Sequence, residues 1–231
     1  MADDIFREVD EDMRAERLRA LARRYVVAAV AVVAVICAGV GGWQYHAWRT
    51  RQADRAWAAA YFAALHAADS SNIALGETAP LTPQQKDALT RLAALDKGSV
   101  PVGLRTMARL EQASLLSSSG DIKAALGLWD QVQADDGADP VLRGLAGLLW
   151  VQHQIDGGDP ATLRSRLATL DGVGKPWRAL AIECEGLLDL RQGHDADARR
   201  RFAQLSAAAD APEGLRSRAG GLLQTLNGAG L

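Results

Sequence analysis

The side chains able to do chemistry are few and widely spaced. Four histidines (His46, His66, His153 and His194) stand far apart, and neither Cys37 nor Cys184 falls at a metal-ligand offset from any of them. No metal centre and no cofactor is expected from such a pattern. No G-x-S-x-G, H-E-x-x-H or phosphate-loop motif occurs; Gly39, Gly41 and Gly42 lie inside an apolar run. Asp135-Asp136 and Asp195-x-Asp197 sit at turns and helix starts, where carboxylates serve as helix caps. Arg199-Arg200-Arg201 is either an anion site or a wet helix face. Cys184, in an apolar helical stretch, reads as a small hydrophobe rather than a nucleophile. A hidden active site would need His153, His194, Glu183 and Asp189 to converge. The expectation is a protein that is not an enzyme.

Charge narrows the partners. The 231 residues carry 26 basic and 28 acidic side chains, a net charge of −2. That balance lacks the basic face of a nucleic-acid binder. Arginine dominates the basic residues, and alanine and leucine abound, a composition that favours helix.

The elements that hold these residues begin with residues 25–48, YVVAAVAVVAVICAGVGGWQYHAW, which contain no Asp, Glu, Lys or Arg. As a helix this run reaches roughly 36 Å, enough to cross a ~30 Å hydrocarbon layer with some tilt. Tyr25 stands at one end and Trp43, Tyr45 and Trp48 at the other, where amphipathic rings settle at headgroup level. A cleaved leader fits poorly, because 24 residues, seven of them acidic, precede the run. Six arginines lie before it (Arg7, Arg14, Arg17, Arg19, Arg23 and Arg24) and three just after it (Arg49, Arg51 and Arg55). The positive-inside rule then places residues 1–24 in the cytoplasm, residues 25–48 across the membrane and residues 49–231 on the far side. The two cysteines are separated by this topology, so no internal disulfide is expected. Within the span, Ala34, Ala38 and Gly42 form a small-xxx-small row against which another transmembrane helix can pack.

Flanking segments read as helix. Residues 3–24 place Ile5, Val9, Met13, Leu18 and Leu21 at roughly helical spacing, with acids first and arginines second, as a helix dipole prefers. They form a solvated juxtamembrane helix or a cytoplasmic docking peptide. From Arg49 to Asp69, Trp57, Tyr61 and Leu65 make a core-facing stripe. Residues 70–81 are a loop by composition. Thr82-Pro83-Gln84-Gln85 is a capping box that opens a helix ending near Lys97-Gly98.

Beyond residue 98 the chain repeats. Leu104-Arg105-x-x-Ala108, Leu142-Arg143-x-x-Ala146, Trp177-Arg178-x-x-Ala181 and Leu215-Arg216-x-x-Ala219 recur at intervals of 38, 35 and 38 residues. Pro101, Pro140, Pro176 and Pro212 precede them. Gly120, Gly158 and Gly193 follow the first three arginines at an offset of 15, each with an acid close behind (Asp121, Asp159 and Asp195), and Trp129, Leu167 and Phe202 come nine residues later. The spacing predicts a proline-opened helix, a left-handed glycine cap, an acid-capped second helix and a bulky residue laid back on the first. Such a pair cannot bury its apolar face alone, so neighbours stack. The fold class expected is all-α, a single N-terminal transmembrane helix followed by a helical solenoid.

The period and the glycine turn resemble degenerate tetratricopeptide repeats. Gly186 matches the small residue of the motif's first helix, and Ala125 and Ala198 match that of the second; Leu163 departs from it. With the anchor ending Gly-Trp-Gln-Tyr, the opening DIFREVDED and the block from Lys175-Pro-Trp to Gly193-His-Asp, the whole chain resembles the YfgM-like proteins of Gram-negative bacteria. That resemblance implies an inner-membrane protein with a periplasmic repeat domain, an ancillary subunit of the SecYEG translocon working beside a PpiD-like chaperone. A scaffold for envelope or cell-division factors is the alternative. If the repeats keep the usual phase, Met107, Leu110, Leu145, Leu148, Leu187 and Leu190 line the partner groove. Proteins and the membrane are the expected partners, with no nucleic acid and no small-molecule substrate.

Overall fold

The computed structural model describes residues 2–68, 78–97 and 100–228, and side chains at Tyr25, Val26 and from Val30 onward. Among these residues there are nine helices and no strand. They are α1 (Ala2–Ala68), α2 (Pro83–Ala94), α3 (Val102–Ser118), α4 (Ile122–Ala134), α5 (Pro140–Gln152), α6 (Pro160–Leu167), α7 (Arg178–Arg191), α8 (Asp195–Ala207) and α9 (Glu213–Gly228). The chain divides into two compact units, Met1–Ala56 and Trp57–Leu231.

The first unit consists of α1 up to Ala56. Within Val30–Ala68 the most apolar window has a mean hydropathy of 1.4 and none of it is buried. Val35 is 72% exposed, and Val30, Val33, Ile36 and Val40 are also exposed. The helix is long and apolar enough to span a membrane. Ala34, Ala38 and Gly42 are exposed with it. The side chains of residues 1–24, on which the juxtamembrane stripe rests, lie outside the described residues, as does most of the expected 70–81 loop.

The second unit is a stack of helix pairs packed on sequential neighbours. Tyr61 and Ala64 of α1 are buried with Leu92 of α2 and Ala108 and Leu115 of α3, while Trp57 and Leu65 pack against them. Thr82 opens α2 as expected: its hydroxyl accepts from the Gln85 N–H at 3.2 Å, its own N–H donates to Gln85 Oε1 at 2.9 Å, and Pro83 is the first helical residue. α2 stops at Ala94, short of the expected Lys97-Gly98. Asp96, just past the stop, is drawn onto Arg109 of α3 at 2.7 Å.

The central core joins α3 to α7 through Ala125, Trp129, Ala146, Leu148, Leu167 and Leu188; the last core joins α7 to α9 around Phe202, Leu205 and Leu215. All four motif alanines, Ala108, Ala146, Ala181 and Ala219, are fully buried, as are Ala125 and Ala198. Gly120 and Gly193 hold φ of 88° and 74°, the left-handed caps the spacing predicts. Gly158 does not: the chain there runs through a series of turns in which its N–H reaches the Gln154 carbonyl at 2.7 Å. A Cβ at Gly158 would meet that same oxygen at 2.8 Å, so close approach rather than φ is what glycine supplies. A third left-handed glycine, Gly174 at φ 79°, lies in the loop before α7 and carries no repeat signal.

Asp121 caps α4 through Ala124 N–H (3.2 Å) and Asp159 caps α6 through Thr162 N–H (2.8 Å). α8 departs: its N-cap is His194, and Asp195 and Asp197 fall in the first turn. α7 begins at Arg178 rather than at Pro176, because Trp177 folds back and donates its indole N–H to the Val141 carbonyl at 2.8 Å.

Candidate partner-binding surface

Inner and outer positions of the stack follow from the motif residues. The first three motif arginines turn towards the loops between pairs. Arg105 reaches Asp135 at 3.3 Å, Arg143 reaches Asp136 at 3.2 Å, and Arg178 donates to the Asp171 carbonyl at 3.1 Å and faces Asp210 at 3.7 Å. The motif alanine, three residues on, occupies the helix crossing where a larger side chain would push the pair apart.

Neighbouring pairs are cross-tied at the period of the sequence. Trp177 to Val141, Arg191 to the Ile155 carbonyl (2.6 Å) and Arg166 to Asp130 (2.9 Å) each span 36 residues. Arg191 to the Gly158 carbonyl (2.7 Å) and Arg166 to Gln133 (3.1 Å) span 33. Arg166 also lies 3.7 Å over the Trp150 ring, and the Trp150 N–H donates to Asp130 at 3.2 Å.

α7 is the most heavily tied element. It buries three carboxylates, and each is met by arginine from outside α7. Asp189, 1% exposed, accepts from Arg164 of α6 and Arg201 of α8, both at 2.8 Å. Glu185 pairs with Arg201 as well, and Glu183 takes a two-point contact from Arg218 of α9 at 2.5 and 2.7 Å. Burial pushes the Glu185 carboxyl above its usual range, against the pull of Arg201. Burial and Glu183 drive the Cys184 thiol up to about 12, so it is protonated at neutral pH.

The residues that chemistry would have required do not converge. No side-chain hydrogen bond joins any two of His153, His194, Glu183 and Asp189; His153 instead bonds the Leu149 carbonyl and stacks on Trp129 with ring centroids 4.6 Å apart. Among the described residues no group of three His, Cys, Asp or Glu is placed to hold a metal ion. The arginine triplet is not a free anion site. Arg199 donates to the Leu226 carbonyl, Arg200 pairs with Asp197, and Arg201 serves Glu185 and Asp189.

Of the six apolar groove positions, Met107 is 43% exposed. Leu110, Leu145, Leu187 and Leu190 are half-buried, and Leu148 lies in the central core. Leu187 and Leu190 pack against the last core, Leu110 against the central one. A separate cleft of about 320 Å³ opens between α5 and the loop before α7, walled by Trp177, Arg143, Lys175 and Gln133. Sequence reasoning missed it, although glycines at 144 and 147 on one helix face are a signal: a Cβ at Gly144 would meet the Trp177 ring at 2.8 Å.

The sequence profile of the tetratricopeptide repeat-like domain matches residues 21–224. The chain belongs to that family. The matched region takes in the apolar part of α1 as well as the helix pairs, so the family's extent includes both units of this chain. No curated protein matches the sequence. No solved structure matches it either. Tetratricopeptide repeat-like domains are interaction modules, which implies protein partners, and the second unit is built of the stacked helix pairs such domains use.

Proposed function

We propose that this tetratricopeptide repeat-like protein is a single-pass inner-membrane protein whose repeat domain gathers a protein partner on the periplasmic side. Its role is that of an ancillary subunit of the Sec translocon, SecYEG, beside a PpiD-like chaperone. The observation that carries the membrane part is the uncovered apolar stretch of α1, whose burial by lipid would satisfy it and whose exposure to water would not. The excess of arginines before the stretch supports an N-terminus in the cytoplasm. The boundaries follow: residues 1–24 inside, 25–48 across the bilayer, 49–231 outside.

The partner groove in this reading is presented by Met107, Leu110, Leu145, Leu187 and Leu190 with Leu148 beneath them as support, and Ala34, Ala38 and Gly42 are the face offered to a neighbouring transmembrane helix. The translocon assignment draws on the resemblance to YfgM-like proteins. Photo-crosslinking from intact membranes tests it: translocon and periplasmic-chaperone subunits should be captured at Met107 and at Ala38. Capture of division proteins, or of neither class, sinks the assignment. A phosphatase fused after Leu231 should be active only outside the cytoplasm; a cytosolic signal reverses the topology.

A further inference from the structure

On the α2–α4 side of the repeat stack an apolar groove is framed by nearly all the lysines of the chain. Leu89 and Ala93 of α2 form one wall and Gly127 and Leu128 of α4 the other, over a floor of Gln112 and Leu116 from α3. The depression holds about 400 Å³ and shares Leu89 and Ala93 with a second of about 490 Å³ that Lys97 also lines. Together they follow α2, whose 12 residues span roughly 18 Å at ~1.5 Å per residue.

Only four lysines occur in the sequence: Lys86, Lys97, Lys123 and Lys175. Lys97 lines the groove directly. Lys86 lies one turn before Leu89 and Thr90 on the same face of α2, and Lys123 one turn before Gly127 on α4. All three are exposed, and among the described residues none has a carboxylate within ion-pair distance. The acids on the surrounding elements are already engaged. Asp87 is held by Arg91 (2.7 Å), Asp96 by Arg109 (2.7 Å) and Asp130 by Arg166 (2.9 Å), and Asp121 caps its own helix. Glu111 of α3 acts on Tyr61, on the α1 side of that helix. With arginines committed to structure, the free charge around this groove is positive.

We infer that the lysine-framed groove between α2 and α4 docks an acidic amphipathic helix of a partner protein, its apolar stripe along Leu89, Ala93 and Leu128 and its carboxylates on Lys86, Lys97 and Lys123. This rests on the reading of the chain as an interaction module, yet the surface is distinct from the one carrying Met107. Met107 is five residues before Gln112, which turns it about 140° around α3 at ~3.6 residues per turn. Gly127 helps keep the groove open: a Cβ there meets nothing within 4 Å, so a larger side chain has room to project into the groove.

The test uses the full chain in lipid nanodiscs and a fluorescein-labelled peptide of about 18 residues with leucines at i, i+4, i+7 and i+11 and glutamates elsewhere. Fluorescence anisotropy should show saturable binding that weakens with added salt. Gly127→Leu and the triple variant Lys86→Glu, Lys97→Glu, Lys123→Glu should each weaken it about tenfold or more, while Val173→Glu, at a 95% exposed loop position before α7, leaves it unchanged. The thermal unfolding midpoint of the Gly127→Leu chain should lie no lower than that of the parent; if it lies lower, Gly127→Gln is read in its place. The inference is overturned if neither Gly127 variant matters, if a lysine-for-glutamate peptide binds as well, or if the groove is occupied by a second copy of the chain in sedimentation. Failure here leaves the membrane crosslinking of Met107 and Ala38 untouched, so the two readings fall separately.

Discussion

The pair α7–α8 and the pair α5–α6 are written on one sequence template and solve the packing problem differently. In α7–α8 the turn glycine is left-handed, and Gly186 lets the Phe202 ring lie directly on α7: a Cβ at Gly186 would stand 2.7 Å from that ring. In α5–α6 the corresponding turn glycine, Gly158, is not left-handed, α6 is only 8 residues long, and Leu163 fills the place where Ala125 and Ala198 allow close crossing. The short helix is also tied to its neighbours, through Arg164 to Asp189 and Arg166 to Asp130 and Trp150. A repeat array therefore tolerates a weak unit when flanking units supply polar ties.

The largest effect should come from cutting those ties at their hub. Asp189→Ala leaves Arg164 and Arg201 facing a buried gap and should destabilise the repeat domain by about 3–5 kcal/mol, read by urea unfolding in the near-ultraviolet circular dichroism. A loss no greater than that of an exposed pair such as Arg91–Asp87 would mean that Asp189 is not the hub of these ties.

Next in size, Gly186→Ala should cost about 1–3 kcal/mol by forcing Phe202 off α7. Adding Phe202→Leu should recover part of that loss. Gly127→Ala, on an open helix face, should instead stabilise by about 0.5–1 kcal/mol. If the two alanine variants behave alike, close packing does not distinguish the tight pair.

A smaller, pH-dependent effect belongs to Glu185. Its carboxyl, raised by burial from the usual 4.5, binds its proton more tightly in the folded chain. Its contribution to stability is therefore greatest below about 4.5 and falls as pH rises through the window above that value. Glu185→Gln should compare more favourably with the parent at neutral pH than in acid. The opposite trend in melting temperature would mean that Arg201, not burial, governs this group. Smallest of all, Cys184 should resist thiol reagents at neutral pH in the folded chain and react on unfolding, since its thiol is held near 12.

Much of this was legible beforehand. The four buried motif alanines, the bulky residues at 129, 167 and 202 and the Thr82 capping box all lie where their spacing places them, because each depends on a few neighbouring residues. Two of the exceptions share a cause. Gly158 and Pro176 carry local signals that neighbouring repeats override: Arg191 binds the turn carbonyls at Ile155 and Gly158, and Trp177 reaches back to Val141. At α8 the cap falls one residue early, on His194 rather than Asp195. The lysine-framed groove was illegible too, since Lys86, Lys97 and Lys123 lie on different turns and helices.

The sequence by itself determined the apolar run, the repeat register and the helix-pair architecture, for these are periodic and local. Tertiary structure alone decided which acid each of many equivalent arginines would hold, which lysines stayed free, and which apolar side chains remained in reach of a partner. The reason is physical: charges 25–36 residues apart meet only after helix lengths and crossings are fixed, and nothing in the composition ranks one guanidinium above another.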